Sequence, residues 1–415
     1  QAEDGIRDRS PSRGLGDVYK RQNNWDRSGL PGWTYQSDSL FQLEAEELFR
    51  KHWQFVCHIN ELNKIGSYKT IEIVNERGFV IKGENNEIRA FHNLCRHRGS
   101  RVIADKEGVC KRAIVCPFHG WSYNFDGSVR GIPNKDSFGD TDFSEMGLKP
   151  LEIEIWHGLI FVRFKKSNQK SISEILKRFD NEISYYKMEH MQPVDGSIWT
   201  DILDANWKSV RDVDNEGYHV RQAHPSLFDL YGQDYNDEPF VEGTSRSIGT
   251  FNTKPSKKWS VKRYRHIVEN NNWLKLPKLL SRSWIYFGMF PNFVLGLYPE
   301  CIIYYYEYPL SSTKTIQTGG VLKHKKESRE KKIARYLSGR IDRDTAKEDQ
   351  MLVEWSTEAV KSSAFKGFCL SDLEYGVKTY HDHLRKLIPV MNFKTEPIDH
   401  SLNEFNNKLL AKKEN

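Results

Sequence analysis

Apolar positions along this chain come in short interrupted runs. The longest, WIYFGMFPNFVLGLYP at 284–299, is broken by Gly288, Pro291, Asn292 and Gly296, which predicts two β-strands joined by a turn rather than a membrane-spanning helix. CIIYYYEYP at 301–309 predicts another aromatic-rich strand, and KEGVCKRAIV at 106–115 reads as the approach to a strand. The stretch DTAKEDQMLVEWSTEAV at 344–360 has helical spacing instead, with Asp349 in line with Leu352, Val353, Ser356 and Val360. A helical segment is also expected over 23–50.

Composition narrows this picture. With 415 residues, 38% of them hydrophobic and 13% aromatic, the chain has room for two domains and a buried core. A net charge of +6 demands neither nucleic acid nor an acidic membrane as partner. Six cysteines are too few to staple a chain of this length, which points to a reducing compartment and to metal-binding or structural thiols. No secretory leader pattern is seen, so a cytoplasmic location is expected. Residues 1–22, QAEDGIRDRSPSRGLGDVYKRQ, are polar and aperiodic. They resemble translated sequencing-adapter read-through and are expected to be an artefactual or disordered arm without chemistry.

The chemistry concentrates in two places. In NLCRHRGSRV (93–102), Cys95 stands two residues from His97 among Arg96, Arg98 and Arg101, unlike an ordinary core cysteine among apolar neighbours. Eighteen residues after His97, VCPFHGWSYNFDG (115–127) supplies Cys116 and His119. Two Cys/His pairs can hold one zinc or two irons. The C-x-H spacing is tight for a single zinc, Gly99 and Gly120 follow the histidines so that backbone N–H groups can approach bridging sulfides, and no finger helix intervenes. The pattern resembles the Rieske [2Fe–2S] domain. That resemblance implies Cys95 and Cys116 on a buried iron, with His97 and His119 on the outer one. High-potential members tie their two loops with a disulfide; Ser100 and Phe118 stand in this region here, and Cys110 reads as a structural thiol, so the low-potential type is expected. Arg96, Arg98, Arg101, Lys111 and Arg112 could steer an acidic electron donor to the cluster edge, or bond neighbours within the fold.

The second place is ILDANWKSVRDVDNEGYHVRQAHPSL (202–227), with Glu216, His219 and His224 in the order E-x2-H-x4-H. Glu216 and His219 would share a helix face. His224 would lie about 140° further round an ideal helix, but Pro225 disfavours helical geometry at His224. That histidine is therefore expected on a helix end turning back toward the site. Two histidines and a carboxylate are a common cradle for O2-activating iron. Asp349, costly to bury on an apolar face unless a metal compensates it, is the expected carboxylate, with Asp342, Asp344 and Glu354 as alternatives. His381 and His383 read as surface or core residues.

From about Trp33 to Pro389 the chain resembles the large (α) subunit of Rieske non-haem iron oxygenases, the ring-hydroxylating oxygenases, including SLFQLEAEELFRKHWQFVCHINEL before the cluster and ANWKSV before the histidines. The resemblance implies an α+β architecture: an all-β Rieske domain (51–166), then a helix-grip, START-like antiparallel sheet with helices (167–395), then a charged tail (396–415). The 23–50 segment would pack on the catalytic domain. It implies His219, His224 and Asp349 as ligands of mononuclear Fe(II), and Glu216 as an electron bridge to a neighbouring subunit of a homotrimer. Electrons would come from NAD(P)H through a separate reductase or ferredoxin, since no flavin or nucleotide motif is present; a small β subunit could complete the complex. Asp212 is followed by Val213 where the family favours Asn. A glutamate at 216, as in carnitine oxygenases, favours an N-methyl or quaternary ammonium substrate, oxidised with demethylation or C–N cleavage. The alternatives are aromatic-ring dioxygenation and, more remotely, electron transfer without oxygenase activity. Phe287, Phe290, Phe293, Tyr298, Tyr304 and Tyr306 could enclose an aromatic ring, cage a cation, or simply fill the core.

Overall fold

The computed structural model of the protein describes residues 25–398 and 401–414, so the 1–22 arm lies outside the described residues. The chain enters through α1 (Asp38–Glu44), which Ser37 caps by accepting from Leu40 N. Leu40, Leu43, Leu48 and Phe49 are buried from this segment.

The N-terminal half is built from short antiparallel strands. β2 (Ser67–Ile73), β3 (Glu76–Lys82), β4 (Ile88–His92) and β5 (Glu107–Val109) form one sheet in the order β4-β3-β2-β5. β6 (Ile114–Val115), β7 (Ser122–Tyr123) and β8 (Val129–Gly131) form a second. Between them Phe79, Ile81, Phe91, Ile114, Trp121 and Tyr123 pack around Cys95 and Cys116. A third sheet, β1 (Gln54–His58), β10 (Leu159–Arg163) and β9 (Glu152–Trp156), joins this half to the next. Every residue of β1 and β10 is buried, because this sheet is covered on both faces.

The C-terminal half is an eight-stranded antiparallel sheet in the order β11-β18-β17-β16-β15-β14-β13, with β12 also paired to β18. Its strands are β11 (Met191–Pro193), β12 (Trp199–Leu203), β13 (Tyr235–Asp237), β14 (Thr244–Thr250), β15 (Ser283–Met289), β16 (Phe293–Leu297), β17 (Ile302–Ser311) and β18 (Lys314–His324). The expected strand–turn–strand over 284–299 is present as β15 and β16. Alternation decides what each aromatic does. Ile285, Phe287 and Met289, with Phe293, Leu295, Leu297, Ile302 and Tyr304, face Phe55, Phe161 and Phe179 in a closed core. Phe287 stacks on Phe179 at 3.9 Å. The opposite face carries the rung Ser247–Tyr286–Gly296–Ile303–Val321.

Helices cover that opposite face. They follow α2 (Ile172–Leu176) and α3 (Asp180–Ile183): α4 (Trp207–Asp214), α5 (Val220–Ala223), α6 (Pro225–Tyr231), α7 (Trp259–Glu269) and α8 (Arg329–Val360). α8 is capped by Ser328 and buries Ala334, Leu337, Ile341, Val353 and Val360. Among the described residues no helix is long and apolar enough to cross a membrane.

The NWK stretch has a structural explanation. Asn206 caps α4, accepting from Lys208 N at 2.9 Å and donating to Ser312 O at 2.6 Å. Trp207 Nε1 and Lys208 Nζ both donate to the buried carboxylate of Glu44, clamping α1 to α4. Asp212 accepts from Tyr35 Oη and contacts buried His381, so His381 serves the core. Where a charged tail was expected, α9 (Tyr375–Leu387) is followed by α10 (Leu402–Glu414), with Asn406 fully buried and accepting from Val390 N.

Candidate metal centres

Two loops with the same backbone closure carry the four cysteine and histidine residues. In the first, Cys95 N donates to Ser100 O and Gly99 N to Cys95 O; in the second, Cys116 N donates to Trp121 O and Gly120 N to Cys116 O. Gly99 and Gly120 have φ of +75° and +74°, a left-handed turn that a side chain would strain. Cys95 and Cys116 are buried, whereas His97 is half-buried and His119 exposed. The imidazole centroids of His97 and His119 lie 4.8 Å apart, and His97 stacks flat on Trp121 at 5.2 Å. Tyr123 Oη sits 3.3 Å from Cys95 Sγ and accepts from Arg96 N. Burial pushes the Cys95 thiol up, opposed by Tyr123 and a backbone hydrogen bond, with Cys116 adding to the rise. Two inner thiols and two outer imidazoles fit a [2Fe–2S] cluster whose histidine-bound iron faces solvent. All six cysteines are free, Cys110 among them.

Around this edge the basic residues divide. Arg101 pairs with Glu72 at 3.2 Å and Arg98 lies over the Phe118 ring, while Lys111 and Arg112 are exposed. Arg98 and Arg101 thus bond neighbours within the fold.

The second centre is made by a break between helices. α4 ends at Asp214, Glu216 follows in a turn, and His219 caps α5. Glu216 was expected to share a helix face with His219; it lies instead in the segment between α4 and α5, which brings the two side chains together. His224 adopts φ −117° and ψ 80° between α5 and α6, with Pro225 opening α6. That break swings His224 back, leaving the two Nε2 atoms 3.0 Å apart. Asp349 Oδ1, from α8, lies 2.9 Å from His224 Nε2 and 3.6 Å from His219 Nε2. One ligand atom from each of the three residues falls within 4.8 Å of the others.

Carboxylates hold the far side of both rings. His219 Nδ1 contacts Glu216 Oε1, and His224 Nδ1 lies 2.9 Å from Glu348 Oε2. With each Nδ1 engaged, both Nε2 atoms are directed to the common point. Burial pushes the His219 imidazole down, but Asp349 and Glu216 outweigh it and hold it up to about 10; His224 is raised by Asp349 and Glu348 against burial and His219. Asp349 Oδ1 is buried and, despite its proximity to both rings, is not aligned for a hydrogen bond. Two facing imidazoles and an unsatisfied carboxylate oxygen fit a divalent metal in a two-histidine, one-carboxylate arrangement.

Of the alternative carboxylates, Asp342 accepts from Tyr298 and Glu354 from Gln350. Neither joins the triad. Glu348 was not anticipated; only its place beside Asp349 on α8 could have suggested it.

The triad borders a cavity of about 820 Å³. Its wall includes Tyr235, Tyr286, Tyr298, Tyr304 and Tyr305, with Arg211, Asp214 and Asp342. Of the six aromatics singled out from sequence, Tyr298 and Tyr304 border it, although the Tyr304 ring packs on Phe55 in the core. Phe287, Phe290, Phe293 and Tyr306 do not: the first and third sit on the opposite sheet face, Phe290 packs between His52 and His383, and Tyr306 packs on Phe55. Three wall tyrosines were missed: Tyr286 and Tyr305, which are neighbours of opposite parity to Phe287 and Tyr306, and Tyr235 on β13.

Comparison with known proteins bears on both centres. Residues 179–389 match the family model for the catalytic domain of the ring hydroxylating alpha subunit, and residues 52–151 match that of the Rieske [2Fe-2S] domain. A glycine betaine monooxygenase oxygenase subunit of Chromohalobacter salexigens is 34% identical over 230 residues, covering 55% of this chain; the match spans half the length of that relative. The 2-aminobenzenesulfonate 2,3-dioxygenase subunit alpha of Alcaligenes sp is 25% identical, covering 78% of this chain and 82% of its own length. A solved quaternary ammonium Rieske monooxygenase, studied for carnitine oxidation by gut microbiota, shares the fold with a TM-score of 0.72. It covers 86% of this chain and 94% of its own at 24% identity.

Proposed function

The chain belongs to the ring-hydroxylating oxygenase α-subunit family and carries its Rieske domain, and from that premise we propose that it is the terminal oxygenase for an N-methylated quaternary ammonium compound. Cys95, His97, Cys116 and His119 would hold the [2Fe–2S] cluster, and His219, His224 and Asp349 would hold Fe(II). When bound, the cluster supplies electrons one at a time and the iron supplies the open coordination positions at which O2 is reduced. The net reaction consumes R–H, O2, two electrons and two protons and yields R–OH and water. Hydroxylation on a carbon attached to nitrogen gives an α-hydroxyalkyl ammonium, whose C–N bond breaks to give an aldehyde, a tertiary amine and a proton.

The residues of the chain do the rest. Glu216 and Glu348 fix the histidine tautomers, each leaving Nε2 for the metal. The tyrosine wall displaces water from around the substrate and offers ring faces to a cation. Arg96, next to Cys95 in the first cluster loop, and exposed Lys111 and Arg112 would offer positive charge to a reductase or ferredoxin with an acidic face, which would relay electrons from NAD(P)H. The glutamate at 216 also suits it to bridge toward a cluster histidine of a second copy, and so a homotrimer. The observation that carries this reading is the convergence of His219, His224 and Asp349 on the border of a cavity with aromatic and acidic walls.

The test is turnover under 18O2 with a ferredoxin-type reductase and NADH. Glycine betaine, carnitine and choline would be compared with naphthalene and benzoate. The expected result is aldehyde release and coupled NADH consumption with a quaternary ammonium compound. Dihydrodiols formed only from the aromatic compounds would contradict the substrate assignment.

A further inference from the structure

Apart from the exposed Asp195 and Asp201, the carboxylates lining the cavity are committed, with one exception. Asp349 belongs to the triad, Glu216 holds His219, and Asp214 pairs with Arg211 at 2.8 Å and accepts from Tyr305 at 3.0 Å. Asp342 has no ion pair among the described residues; its Oδ1 accepts from Tyr298 Oη at 2.7 Å. It lies seven residues before Asp349 on α8, two turns along nearly the same face and roughly 10 Å away at 1.5 Å per residue.

We propose that Asp342, held in place by Tyr298 and joined by the ring of Tyr286, is the determinant that makes this cavity select a fixed cation. This deepens the quaternary ammonium reading and rests on it. A trimethylammonium head has no N–H to donate, so it is recognised through its charge and its contact with ring faces rather than by hydrogen bonds. Tyr298 is rigid: it stacks on Trp284 at 3.9 Å and 5°, and its hydroxyl is shared between Asp342 and Tyr286. Tyr286 in turn meets Tyr231 at 3.3 Å. Tyr298 is fully buried and so holds Asp342 in place, while the part-exposed ring of Tyr286 is the aromatic surface a ligand can meet.

Burial pushes the Asp342 carboxyl up to about 7, with Glu300 adding to the rise, while Tyr298 and Arg343 act against it. A permanent cation beside it would favour the ionised form. The remaining charged neighbour on its helix face, Arg335, is engaged by Glu327.

The test uses the holoenzyme and two ligands of equal shape: choline and its neutral carbon isostere 3,3-dimethylbutan-1-ol. Binding is measured by calorimetry, with cluster absorbance and iron content as controls for folding. Asp342→Asn should weaken choline about tenfold or more while leaving the isostere unchanged; Asp342→Glu should restore most of the difference. Equal losses for both ligands, or none for choline, would overturn the role of Asp342 while leaving the substrate class standing. Failure of the unsubstituted enzyme to prefer choline over the isostere would overturn the inference and the quaternary ammonium reading together.

Discussion

Replacing Glu348 with alanine removes the acceptor of His224 Nδ1 and leaves every metal ligand in place. His224 is 1% exposed, so water cannot readily replace the lost carboxylate. An unsatisfied buried N–H costs about 1–3 kcal/mol, and loss of a carboxylate behind a metal-bound histidine lowers metal affinity about 10–100-fold, or about 1.4–2.7 kcal/mol. The two estimates overlap because they describe the same ring losing its orientation and tautomer. Glu348→Gln keeps an acceptor without the charge, and charge-assisted bonds are about twice as strong as neutral ones, so about half the loss is expected. Glu354→Ala, on the same helix but bonded to Gln350, is the control. Fe(II) and Co(II) titrations of metal-free protein would read the effect, with cluster absorbance reporting an intact fold. Unchanged affinity in Glu348→Ala would refute the reasoning.

Other consequences are as direct. Asp349→Asn should reduce mononuclear iron occupancy to a small fraction, by metal analysis, without loss of cluster absorbance; retained iron would exclude Asp349 as a ligand. Glu44→Ala strands the fully buried Lys208 ammonium and should cost about 3–5 kcal/mol in denaturation, whereas Glu44→Leu with Lys208→Met should recover much of it. Phe287→Ala opens a void against Phe179 and should cost about 3–5 kcal/mol. A loss below 1 kcal/mol would return Phe287 to the list of pocket residues. Burial lowers His52 and His383 to about 4, so between pH 6.5 and 4 the unfolded chain binds protons that the folded chain refuses. Stability should therefore fall with pH through that window and level off below it. His383→Phe should flatten the slope of unfolding midpoint against pH; an unaltered slope would contradict this.

Legibility in the sequence followed the locality of each constraint. The cluster loops could be read because each needs its cysteine, histidine and glycine within six residues, and Gly99 and Gly120 do adopt the left-handed turn that closes them. The E-x2-H-x4-H stretch was legible through Pro225, which forces the break that lets His224 face His219. Glu216 was misplaced on a helix because nothing in the spacing marks the end of α4. The pocket was the least legible. The sheet is covered on both faces, so aromatics occupy both parities, as in Tyr286–Phe287 and Tyr304–Tyr305–Tyr306, and alternation gives no direction without knowing which face the helices cover. Glu348 depends on the rotational setting of a 32-residue helix against a distant loop, which no local pattern encodes. α10, whose polar sequence reads as a tail, docks through the buried amide of Asn406 and through Leu402, Phe405 and Leu409 against the core.

The central claim is that one chain holds both a Rieske cluster and a substrate-responsive oxygenase iron. Electron paramagnetic resonance on iron-replete protein tests it, after dithionite reduction and again after addition of nitric oxide. The account predicts the rhombic signal of a reduced Rieske cluster together with a high-spin iron–nitrosyl signal that sharpens when a quaternary ammonium ligand is added. A cluster signal with no iron–nitrosyl species would contradict it and leave a protein that only transfers electrons.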